Sequence, residues 1–227
     1  MRSSFQPLAI APFLFLACSA FGAGGGPMPS SPPMEMRERA TPEDSARTRY
    51  NDGVRLVEKA DKLDADAAHQ ADERKKAKAH DKAAQNYVAA MKKFDAATEL
   101  QPSNYQAWNY VGYTNRKLGN YEAALDAYDR ALKFKPDYAE AIEYCGHAYL
   151  GLNRLSEAKD AYLKLFAGNR KLADTLLTAM HQWVEDHRQS GAGVDASMLE
   201  SFASWVSERS SIASQTASLT REGAASA

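Results

Sequence analysis

Apolar residues recur every three or four positions through most of the chain, the spacing of helices that bury one face. Tyr50, Val54, Val57, Ala60 and Ala67 make one such stripe; Ala77, Ala84, Tyr87, Val88, Met91 and Phe94 make a second. Met198, Leu199, Phe202, Trp205, Val206 and Ile212 make a last one within 194–213. Past residue 41 no stretch alternates with period two, so the pattern predicts an all-α chain with no sheet. The first helix should open at Thr41-Pro42-Glu43-Asp44. A threonine can cap the free N–H groups, proline suits the first helical position, and two acids complement the positive helix end.

Residues 105–138 form one unit, with Trp108, Gly112, Gly119, Tyr121, Ala124, Tyr128, Ala131 and Pro136 at fixed offsets. Gly112 and Ala124 would let two antiparallel helices approach closely, and Gly119-Asn120 turns the chain between them. Tyr128 would fill the space between hairpins, and Pro136 stops the second helix. This resembles the tetratricopeptide repeat (TPR), whose period is the length of that unit. Asn115 departs from the family pattern, which usually has tyrosine there. One period further on, 139–172 falls into the same register through Gly146, Tyr149, Leu155, Ala158 and Tyr162. Arg170 replaces the expected proline, so a looser end is predicted. Leu176, Ala179, Met180 and Trp183 then mark another first helix, and the chain breaks at Ser190-Gly191-Ala192-Gly193. Residues 173–213 should cap the exposed end of the stack, as terminal repeats must be capped. The small polar residues 214–227 should be disordered.

Backwards, Ala90, Phe94, Ala97, Leu100 and Pro102 match a second helix and its stop, while Tyr50 and Gly53 match a first one. Gly53 and Ala90 lie much further apart in sequence than Gly112 and Ala124. No glycine or proline interrupts 54–101, so the excess should lengthen both helices of a degenerate hairpin over 42–104. Its turn is placed within 64–72. One uninterrupted helix over 54–100 is the alternative, but it would leave the first repeat without its pair. The resemblance thus implies a TPR helical-hairpin solenoid with an elongated first hairpin and a C-terminal capping helix.

Charge adds little. The 28 bases and 29 acids nearly cancel, so no global field draws the chain to nucleic acid or an anionic membrane. The run Arg74–Lys78 is preceded by Asp64, Asp66, Asp72 and Glu73, lacks an interleaved aromatic, and reads as a solvated helix face. Residues 1–22 have the order of an export signal: Arg2, an apolar core over 8–17, then small residues. Residues 23–41 are a flexible Gly/Pro/Ser linker. Cleavage after Ala20-Phe21-Gly22 is one route. FLAC at 15–18 resembles a bacterial lipobox, which would lipidate Cys18 and tether the protein to a membrane. With Cys145 as the second of two cysteines, no disulfide framework is expected.

Catalytic signatures are missing. His69, His80, His147, His181 and His187 form no HExxH arrangement, and no phosphate-cradling glycine loop or GxSxG occurs. No enzyme activity, cofactor or metal is predicted. Cys145 falls beside Gly146 at a core position. What the resemblance implies is binding: the first helices of stacked repeats line a concave face that holds a peptide or partner helix. By resemblance its residues are Tyr50, Asn109, Tyr113, Arg116, Lys117, Glu140, Glu143 and His147. Tyr110 stands where one TPR subclass, which clamps carboxylate ends of chaperone tails, needs asparagine, so that specificity does not carry over. The expected protein is an exported scaffold of the bacterial cell envelope, periplasmic or membrane-anchored, with a protein or peptide partner. The rival readings are a lipoprotein assembly factor held through Cys18 and an unrecognised catalytic or metal-carrying domain.

Overall fold

A computed structural model describes residues 41–190 and 193–225, with side chains as far as 216. The signal, the linker and Cys18 lie outside the described residues. Among those described there are eight helices and no strand: α1 (Pro42–Ala68), α2 (Glu73–Leu100), α3 (Tyr105–Lys117), α4 (Tyr121–Phe134), α5 (Ala139–Gly151), α6 (Leu155–Gly168), α7 (Arg170–Ser190) and α8 (Ala196–Ala225). They form an all-α TPR solenoid. Hairpins α1/α2, α3/α4 and α5/α6 stack in order, α7 packs on α5 and α6, and α8 packs on α7.

The helix ends follow from local chemistry. Thr41 Oγ1 accepts from the Asp44 N–H at 3.1 Å, with Pro42 at the first helical position. Asp72 accepts from the N–H groups of Arg74 and Lys75, which starts the second arm. Gly119 ends the α3 turn at φ 81, and Asn153, its counterpart in the next repeat, takes the same left-handed region at φ 57. Glycine and asparagine are the residues that tolerate it most cheaply.

The repeat is visible in the core. Phe94, Tyr128 and Tyr162, each one period apart, are all fully buried, as are Ala90, Ala124 and Ala158. Each ring adds about 2–3 kcal/mol of burial, so periodic rings mean periodic stabilising contacts. A Cβ on Gly112 would lie 2.4 Å from the Tyr128 ring, and one on Gly53 would lie 2.6 Å from Phe94. The first hairpin therefore closes by the same ring-on-glycine contact as the regular repeat, despite its length. Gly146 meets Leu176 of α7 instead.

The elongated arms are α1 and α2, 27 and 28 residues long, with their turn at 69–72. Ala60, Ala83 and Tyr87 make a thin core between them, joined by Leu63, Tyr113 and Leu118. The arm thus leans on the C-terminal end of α3. Only the chain beyond Asp64 and His80 extends past that contact, about 10 Å at 1.5 Å per residue.

Two features depart from expectation. The end of the second regular repeat is tight, not loose: Asn169 alone separates α6 from α7, and its side chain accepts from the Leu172 N–H at 3.2 Å. Side-chain capping does there what proline does after α4. The stretch expected to be disordered, 214–227, continues α8 as far as Ala225, because its small residues hold no proline to interrupt the helical ladder. α8 is the cap: Phe202 and Val206 are buried against Trp183 and its neighbours. The Trp183 indole donates to the Leu150 carbonyl at 3.0 Å, locking α7 onto α5.

Candidate partner-binding face

The odd-numbered helices share one side of the stack, and an aromatic and polar seam runs along it from α1 to α5. Tyr50 meets Tyr110 edge-on at 5.7 Å, Tyr110 meets Tyr113 at 6.2 Å, and Tyr113 meets Tyr144 at 5.3 Å. Tyr110 and Tyr144 hold the same position in successive repeats, so the repeat itself places both rings. Beneath Tyr110 lies Phe94, stacked at 4.8 Å.

Charged groups pin this row. Asp61 Oδ1 accepts from the hydroxyls of Tyr87 at 2.6 Å and Tyr113 at 2.7 Å. Asp64 accepts from Tyr87 at 3.0 Å, pairs with Lys117 at 2.8 Å and meets His80 at 3.2 Å. Burial works against the charged form of Asp64, but the Lys117 ammonium and the other donors outweigh it and hold its carboxyl below the ordinary value. The Arg116 guanidinium lies between the rings of Tyr113 and Tyr144, at 5.2 and 5.4 Å from their centres.

Burial is also the main reason the phenols stay neutral. It pushes Tyr50 up to about 12, with help from Tyr110 and Tyr105, and Tyr144 to about 12, with help from Glu143. Tyr113 is raised further by burial and by Asp61. The seam is therefore a set of fixed hydroxyl donors and ring faces. It offers recognition chemistry, and its tyrosines are poor acids.

Of the residues expected on an open face, Tyr50, Tyr113, Arg116, Lys117 and His147 are half-buried along this side, and Glu140 is exposed in the first turn of α5. Asn109 and Glu143, which also correspond between repeats, are buried at 3% and 4% exposure. Glu143 is paired with His147 at 2.6 Å, whereas Asn109 Oδ1 has no hydrogen-bond partner among the described residues. Sequence reasoning missed Asp61, Asp64, Tyr87, Tyr110 and Tyr144. The repeat period could have found the last two. The aspartates had no such signal, because the extra length takes them out of the repeat register.

Cys145 is buried, and burial pushes its thiol up to about 12, so it is no nucleophile near neutral pH. Among the described residues no three His, Cys, Asp or Glu side chains are grouped to hold a metal, and no helix is long and apolar enough to cross a membrane.

Residues 112–153 match a family model described as TPR repeat. That segment carries TPR-repeat sequence. Among solved structures it is similar to the second TPR domain of human RPAP3, solved in complex with the HSP70 peptide SGPTIEEVD, at 24% identity and a TM-score of 0.38. That match covers 42% of this chain and 81% of the RPAP3 domain. It is also similar to a MamA RS-1 ArsTM double mutant, at 20% identity and a TM-score of 0.38, covering 73% of this chain and 94% of that one. No curated protein matches.

Proposed function

We propose that this chain is an exported protein–protein interaction module of the bacterial cell envelope, which holds a peptide or partner helix on the face made by α1, α3 and α5. The carrying observation is the continuous row of half-buried tyrosines joined to Arg116, Lys117 and two aspartates. Tyrosine and arginine are the side chains that anchor partners most often, and here they are held in place by contacts on both sides. The signal-like order of residues 1–22 supports export. A pull-down from envelope extract tests the reading. The wild type should retain a partner that the Tyr113→Ala, Arg116→Ala protein loses. Retention by the double variant would move the contact to the hairpin tip or α8.

The lipobox-like FLAC sequence supports a second reading, in which Cys18 is lipidated and the stack works tethered to a membrane. Fractionation of wild type and Cys18→Ser decides it, since membrane association unchanged by the substitution rules out the lipid.

A further inference from the structure

The repeat register continues onto α7. Asn109, Tyr113, Arg116 and Lys117, carried forward two periods, fall on Leu177, His181, Val184 and Glu185, and Glu140 carried forward one falls on Asp174. On α3 and α5 these positions belong to the candidate binding face. On α7 all five line two clefts shared with α8, and His181 lines both. α8 runs antiparallel to α7 there, with Glu200 at Arg188 and Ser210 at His181. The chain's own last helix thus covers the α7 counterparts of the face.

The two halves of α8 are held differently. In the first, Phe202 and Val206 are buried, Trp183 meets Phe202 edge-on at 5.3 Å, and Trp205 meets Tyr162 at 5.5 Å. In the second, no residue from 207 to 216 is buried. Ser204, Ser207, Ser210 and Ser214 face α7 with short side chains, beside clefts of about 380 and 400 Å³. Among the described residues 207–214, the hydrogen bond that reaches α7 is the one between His181 Nε2 and Ser210 Oγ, at 2.6 Å. Ser210 itself donates to the Val206 carbonyl at 3.1 Å, and Ala213 adds a small apolar contact. One net hydrogen bond favours a closed form by roughly tenfold, so this half can open locally while Phe202 and Val206 stay in place.

We propose that α7 continues the partner-binding face and that the second half of α8, residues 207–216, is a reversible cover on it, displaced when a partner segment extends past α5. This rests on the α1–α3–α5 face being the binding surface. Two elements then compete for the same positions, and the partner's apparent affinity falls by the fraction of chains whose cover is closed.

The test uses the full chain carrying Cys18→Ser and Leu177→Cys, so that one thiol lies under the cover while the buried Cys145 reports opening of the stack. Labelling by a disulfide reagent, each thiol measured against its own rate in the unfolded chain, should be at least about tenfold less hindered at position 177 than at Cys145. Ser210→Pro removes the hydroxyl and breaks the helix past Val206. It should speed labelling at position 177 about tenfold further and leave Cys145 unchanged. Equal protection of the two thiols overturns the cover. In an array of short peptides of random sequence, those that need Tyr113 and Arg116 and reach α7 should bind the Ser210→Pro chain up to about tenfold more tightly than the wild type. Equal binding of every retained peptide to both chains overturns the displacement. Peptides that tighten with Ser210→Pro but ignore Tyr113→Ala, Arg116→Ala keep the cover and overturn the α1–α3–α5 face. An array that retains nothing on either chain overturns the face and the competition for it, whatever the thiols show.

Discussion

Replacing Gly112 by alanine should destabilise the protein, although alanine is the better helix former. In an open helix the exchange favours folding by about 1 kcal/mol. At Gly112 the new methyl would lie 2.4, 2.5 and 2.8 Å from three carbons of the Tyr128 ring. That ring is fully buried and packed against Tyr144 at 6.0 Å, so it cannot turn away. Overpacking of this kind costs about 1–3 kcal/mol and sometimes more. Three overlaps with a ring that moves as a unit place the cost at the upper end, leaving a net loss of about 2 kcal/mol. For a chain of this size that lowers Tm by roughly 4–8 °C. Gly168→Ala is the control: the same chemical change on a helix, with nothing within 4 Å of the new methyl. It should be neutral or stabilising by up to about 0.5 kcal/mol. Urea and thermal unfolding followed by circular dichroism would measure both. If Gly112→Ala matches or exceeds the wild type, the close approach of α3 and α4 is wrong. Gly53→Ala should fall with Gly112→Ala, since its methyl meets Phe94 at 2.6 Å.

Folding favours the neutral phenols of Tyr50 and Tyr144, so their stabilising contribution is intact below pH ~10 and is lost as pH rises through about 12. Tyrosinate absorbance and helical signal should therefore change together in an alkaline titration; full ionisation of these tyrosines with helices intact would contradict their burial. Replacing 65–79 by a short glycine-rich turn should leave one cooperative melting transition. Deleting 61–82 should cost about 2–4 kcal/mol more by removing Asp61 and Asp64, and equal melting of the two deletions would show that the seam adds no stability. In a Cys18→Ser protein the Cys145 thiol should react with a disulfide reagent near neutral pH only as fast as the protein opens; rapid labelling of the folded protein would refute its burial.

The fold was legible because its contacts repeat. Ala124, Tyr128 and Gly112 are read from spacing alone, and one further period finds their counterparts. The long hairpin could be inferred from an absence, since 54–101 holds no helix breaker. The brace against α3 could not. Asp64 and Lys117 are distant in sequence, in a region where the period is broken, and an aspartate on a helix otherwise reads as solvated surface. The face was half legible for the same reason. Asn109 and Glu143 fall at positions matched to the family's open face and yet are buried, Glu143 in a pair with His147, which spacing alone does not reveal. α7 begins without a linker because a capping side chain, which has no fixed place in the repeat pattern, replaced the proline that does.

The brace at Asp64 and Lys117 gives the first hairpin a mechanical role. Two long helices in contact bend little, and this pair is held at its base by the stack and again about 10 Å short of its tip. A sideways load on the tip pivots about that second support, and the support is itself a residue of α3. The load is therefore delivered to the turn carrying Tyr113 and Arg116 before it reaches the rest of the stack. Whatever touches the end of this arm pulls directly on the tyrosine row.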